Sequence, residues 1–143
     1  MYFKDTSILI ASLEIDDAID LRANQNIGII KGGFVENLVA EALIKQGIPL
    51  YYFKRADSTL ELDFLIRCKN NIIPIEVKAT NGNSKSLKEV LTNPKYDKVN
   101  FAIKLARSNI DYSNGIFTIP IFYSFTLKEF IDKFEFDLYI KNN

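Results

Sequence analysis

The sequence predicts a mixed α/β fold, a β-sheet flanked by helices. Three observations carry that expectation. An apolar stripe at helical spacing (Val35, Leu38, Val39, Ala42, Leu43) precedes the middle of the chain. A dense β-type stretch follows over residues 50–78. Helix and strand signals then alternate towards the end, the pattern of a sheet with helices packed on it. The chain has 143 residues, 48% of them hydrophobic, which suits one domain with a core of its own.

Residues 5–13 read as a short helix, with Asp5 or Thr6 as N-cap. Residues 14–31 are polar and mixed, with Glu14, Asp16, Asp17 and Asp20 in a charge run, and read as a loop or solvated face. Gly32-Gly33 is expected to open a helix over 34–46, closed by Gly47 and followed by Pro49. Strands are expected over 50–54, 60–68 and 71–78, with Lys69-Asn70-Asn71 turning the last two into a hairpin. Ser86-Leu87-Lys88-Glu89 fits a capping box for a helix to about residue 91. Residues 98–105 alternate as a fourth strand, and 116–119 form a fifth that ends at Pro120. Thr126 with Glu129 marks a last helix over 126–134.

Composition narrows the function classes. Lysine plus arginine equals aspartate plus glutamate, so the net charge is zero and no general polyanion-binding surface is implied. Histidine is absent, which removes histidine triads and histidine-ligated metal sites. The single cysteine, Cys68, excludes an internal disulfide and reads as a small apolar strand residue. No apolar run reaches membrane-spanning length and no secretory leader is evident, so a cytoplasmic protein without a membrane partner is expected.

The chemical information lies in the hairpin. Side chains alternate across a strand, so Leu62, Phe64 and Ile66 are expected on one face, with Glu61, Asp63 and Leu65 on the other. Likewise Ile73, Ile75 and Val77 oppose Pro74, Glu76 and Lys78. Asp63, Glu76 and Lys78 then converge on one side. Glu76 and Lys78 lie roughly 6 to 7 Å apart along the strand. Two acids and a lysine on adjacent strands are the minimal kit for divalent-metal phosphodiester hydrolysis, and hard oxygen donors suit Mg²⁺ or Mn²⁺. An exposed Glu-x-Lys is also a common solvated pair, worth under about 1 kcal/mol. Charges that interrupt apolar strands weigh towards use, since they are costly unless paired. Glu36 stands at the margin of the apolar stripe near the start of its helix. A capping carboxylate and a metal-facing one are equally compatible with that position.

These residues resemble the PD-(D/E)XK, or restriction-endonuclease-like, superfamily. Asp63 matches its first acid, Glu76 and Lys78 its E-x-K element, and Glu36 the acid of its first core helix, while Leu62 stands in place of its proline. More closely, the chain resembles domain of unknown function 4143. The matching stretches run from Tyr2-Phe3-Lys4-Asp5-Thr6 through Phe34-Val35-Glu36-Asn37, Tyr51-Tyr52-Phe53, Leu60–Ile66 and Ile73–Lys78 to Ile119-Pro120. The resemblance implies a restriction endonuclease-like mixed β-sheet flanked by helices over residues 31–143, preceded by a helical connecting segment, residues 1–30. It implies catalytic roles for Asp63, Glu76, Lys78 and Glu36, with Asp63, Glu76 and Glu36 holding Mg²⁺ or Mn²⁺. It also implies DNA as substrate and an N-terminal AAA-type ATPase as partner module. No phosphate-binding loop occurs in these residues, so nucleotide binding would belong to that module. The alternative is a catalytically silent module that binds nucleic acid or a partner, or regulates the ATPase.

Overall fold

Six strands form one mixed sheet, in the order β1-β2-β3-β4-β6-β5. They are β1 (Tyr51–Lys54), β2 (Glu61–Cys68), β3 (Asn71–Lys78), β4 (Ala102–Ala106), β5 (Asp111–Ser113) and β6 (Ile116–Pro120). The computed structural model describes residues 2–23, 28–56, 60–68, 71–79 and 82–133. The first three strands are antiparallel, β3, β4 and β6 run parallel, and β5 returns antiparallel at the edge. A mixed α/β sheet flanked by helices is therefore what the sequence builds.

Both faces of the sheet are covered. Helix α3 (Gly28–Lys45) and helix α5 (Leu127–Lys133) lie over one face. There Val39, Leu43, Leu127 and Ile131 pack with Phe64, Ile75, Ile103 and Ile119. Helix α4 (Lys85–Thr92) covers the other, where Leu87 and Val90 meet Leu60, Leu62, Ala102 and Ile116. Burial on both faces explains why β4 reads Ala-Ile-Lys-Leu-Ala, apolar at every position but one.

Several expectations hold. Helix α1 (Thr6–Ala11) begins at the Asp5 cap, whose side chain accepts from the Ser7 amide. Gly47 ends α3 with φ +74°, and the Ile48 amide returns to the Leu43 carbonyl at 3.0 Å. Strand β3 has the predicted bounds. The Lys69-Asn70 part of the hairpin turn and residue 134 of the last helix lie outside the described residues.

Others are corrected. The polar stretch after residue 14 contains helix α2 (Ile15–Ala23), with no buried residue. Without a buried face it has no apolar stripe to betray it. Gly32-Gly33 does not open α3, which starts at Gly28 and runs through both glycines. The α4 cap is Ser84 rather than Ser86, and its side chain makes no capping bond. The fourth strand is shorter than expected because Asn93 caps a 3₁₀ turn, Pro94–Tyr96, that delays it to Ala102. The three-residue edge strand β5 was not expected. It precedes a turn at Asn114-Gly115, both at positive φ, so residues 116–120 form a sixth strand. A 3₁₀ segment, Ile121–Thr126, leads directly into α5, so Thr126 is no isolated cap.

The candidate acid-lysine site at the strand fork

Strands β2 and β3 pair from Cys68↔Asn71 up to Phe64↔Ile75, and the ladder then stops. At the same level the β1–β2 register slips between Tyr51↔Leu65 and Phe53↔Leu62. That irregularity re-aims the side chains around Asp63, as strand irregularities do. Leu62 consequently packs on the α4 side with Leu87 and Val90, whereas Phe64 and Ile66 face α3. The strict alternation expected over 62–66 fails at this point. Asp63 sits in the fork thus opened, and its Oδ2 accepts the Val77 amide at 2.7 Å.

Val77 lies between Glu76 and Lys78, so one hydrogen bond brings the predicted acid to the predicted pair. Glu76 is only 5% exposed. Its Oε1 receives Lys78 Nζ at 2.7 Å, while its Oε2 is buried with no hydrogen-bond partner. Lys78 thus folds back onto Glu76 instead of standing apart from it. Burial raises the Asp63 pKa from 3.8 to about 6. The Val77 amide and Lys78 oppose that rise, while Glu36 and Glu76 add to it.

Glu36 is not in a first helical turn, since α3 begins at Gly28. A capping role through the helix N-terminus is thereby excluded. Its Oε1 accepts the Tyr2 hydroxyl at 2.5 Å, and the Tyr2 ring packs on Phe64 with centroids 5.5 Å apart. Burial, then the Glu36 carboxylate, pushes the Tyr2 hydroxyl well above its ordinary range. Residues 2–6 are tied to α3 by further bonds. Phe3 N donates to Asn37 Oδ1 at 2.8 Å, and the Thr6 amide and hydroxyl both donate to Glu41 Oε2.

One residue escaped sequence reasoning. Lys104 pairs in register with Glu76 across the parallel β3–β4 ladder, which puts both on the α4 face. Its Nζ donates to the Gly82 carbonyl at 2.8 Å. A Cβ on Gly82 would stand 3.3 Å from Lys78 Cδ, so glycine lets this loop lie against the lysine stem. The available signal was the lone charge in an otherwise apolar strand. Other cations that the sequence offers as neighbours of the site pair at the surface: Lys45 with Glu41, Lys54 with Glu61 and Arg55 with Glu89. Lys85 and Lys88 are exposed.

A divalent cation fits this donor set in part. The buried Glu76 Oε2 has no partner, and it stands near an Asp63 carboxyl whose pKa is raised chiefly by burial. One or two carboxylates are the number Mg²⁺ takes when water and phosphate complete its shell. No group of three or more carboxylate or thiol side chains is gathered to hold a metal among the described residues. Glu36, held by Tyr2, therefore does not complete a three-acid set. No helix among the described residues is long and apolar enough to cross a membrane.

No curated protein and no solved structure matches the chain. The family described as Domain of unknown function (DUF4143) matches residues 31–123.

Proposed function

The chain belongs to the DUF4143 family, and we propose that it acts as a restriction-endonuclease-like, metal-dependent nuclease domain on DNA. The observation that carries this reading is the buried Glu76 carboxylate with one oxygen unpartnered, next to an Asp63 carboxyl raised to about 6. A structural ion pair has no need of a second acid in the same fork. Asp63 and Glu76 would hold Mg²⁺ or Mn²⁺, which supplies Lewis acidity and an acidified water. Lys78, with Nζ at 2.7 Å from Glu76, stabilises negative charge developing on the phosphate. An N-terminal AAA-type ATPase, the partner module that the family resemblance implies, would govern access to the site.

The test is cleavage of supercoiled plasmid and of labelled oligonucleotides with Mg²⁺ or Mn²⁺. Cleavage should be lost in Asp63→Asn and in Lys78→Ala. Cleavage that survives both changes, or none on any DNA or RNA form, counts against the reading.

A second reading rests on Tyr2, whose hydroxyl occupies Glu36 and leaves the site one acid short. On that reading the domain is catalytically silent and binds nucleic acid or a partner, or regulates the ATPase. Calorimetric titration separates the two, since a silent module takes up no Mn²⁺ at millimolar concentration.

A further inference from the structure

A groove of about 680 Å³ opens where the parallel strands end, between α3 and the 3₁₀ segment Ile121–Thr126. Ala79, one residue beyond Lys78, lines it, as do Ala106 and Pro120 at the ends of β4 and β6. The carboxyl ends of parallel strands are where α/β sheets take ligands. Two features of the lining are unusual for a chain of zero net charge. It includes Lys31 and Arg107 and, among the described residues, no carboxylate. It also carries two phenylalanines that fold into no core: Phe122 is 66% exposed and Phe125 53%.

The position of those rings is set by the backbone. Side chains three apart eclipse in a 3₁₀ helix, so Phe122 and Phe125 project from one side, about 6 Å apart along the axis. That is close to two base steps of about 3.4 Å. The segment is also held in place. Gln46 at the end of α3 donates to the Ser124 carbonyl at 2.6 Å and accepts the Lys128 amide at 3.0 Å. Rigid, exposed aromatic rings beside cations are what sequence-tolerant single-strand binding requires, with bases on the rings and phosphates on the charges.

We infer that this groove binds single-stranded nucleic acid, with bases stacked on Phe122 and Phe125 and the backbone directed by Arg107 and Lys31. The inference rests on the nuclease reading only in supplying that site with its strand, because Ala79, the next residue after Lys78, lines the groove. Binding itself needs neither metal nor cleavage.

The experiment is fluorescence anisotropy of a labelled oligothymidine with the full chain in EDTA. Phe122→Ala and Phe125→Ala should each weaken binding about 5- to 150-fold, the range for loss of one stacking ring. Arg107→Ala should weaken it and reduce the salt slope by about one. Both rings are exposed, and an unchanged circular-dichroism melt verifies that the variants fold. Absence of oligothymidine binding, or binding indifferent to both ring substitutions, overturns the inference. So does indifference accompanied by loss of self-association in sedimentation, which assigns the rings to a protein interface. Ring-dependent binding by a chain that cleaves nothing upholds the groove and removes the nuclease reading.

Discussion

Asp63→Asn should make the protein more stable at neutral pH, although it removes a candidate functional group. The Asp63 pKa rises from 3.8 to about 6 on folding, chiefly through burial. The folded state therefore holds a proton that the unfolded chain has already released. Stability from this group is fully present below about pH 4 and is lost as pH rises through about 6. At about 1.36 kcal/mol for each pH unit between the two values, ionised Asp63 costs the folded chain about 3 kcal/mol above pH 7. Asparagine keeps an oxygen for the Val77 amide, bonded at 2.7 Å in the wild type, and carries no charge. The variant should gain about 2 to 3 kcal/mol at pH 7.5, or roughly 6 to 9 °C in melting temperature for a domain of this size. At pH 4 the gain should vanish. Urea and thermal unfolding of both proteins from pH 4 to 8 supply the measurement, and their difference cancels the titrating groups that do not interact with Asp63. A gain independent of pH, or a variant less stable than the wild type at pH 7.5, refutes the reasoning.

Lys78→Met should cost about 3 kcal/mol, because it strands the buried Glu76. The double change with Glu76→Gln should recover most of that loss, as denaturant midpoints will register. Tyr2→Phe deletes the hydroxyl on Glu36 and should cost about 1 to 2 kcal/mol. If Glu36 can serve as a ligand, the same variant should bind Mn²⁺ more tightly in calorimetry. Gly32→Ala and Gly33→Ala should each raise stability by about 1 kcal/mol in thermal melts, since both lie inside α3 and a Cβ there meets nothing within 4 Å.

The sheet's central hairpin was legible because Phe64, Ile66, Ile73 and Ile75 satisfy a two-residue period imposed by one buried face. The same rule failed at Leu62. The slip in pairing with β1 turns that residue to the other face, and pairing is a tertiary property that a single strand does not carry. Asp63, Glu76 and Lys78 were found as a cluster, yet their contacts differ from simple alternation. Asp63 reaches Val77 across a fork, and Lys78 folds back onto Glu76. Glu36 was identified, but its partner Tyr2 lies 34 residues away and nothing local announces it. Helix α2 was missed because a helix with no buried face leaves no apolar period. Gly32 and Gly33 misled for the converse reason: glycine usually punctuates, and here the helix runs through both.

The central claim is that Asp63 and Glu76 together hold a divalent cation beside Lys78. Anomalous diffraction from crystals soaked in Mn²⁺ tests it directly. One peak is expected within about 2.0 to 2.4 Å of an oxygen from each of the two acids. An empty fork, with Lys78 still bonded to Glu76 at saturating Mn²⁺, would contradict it.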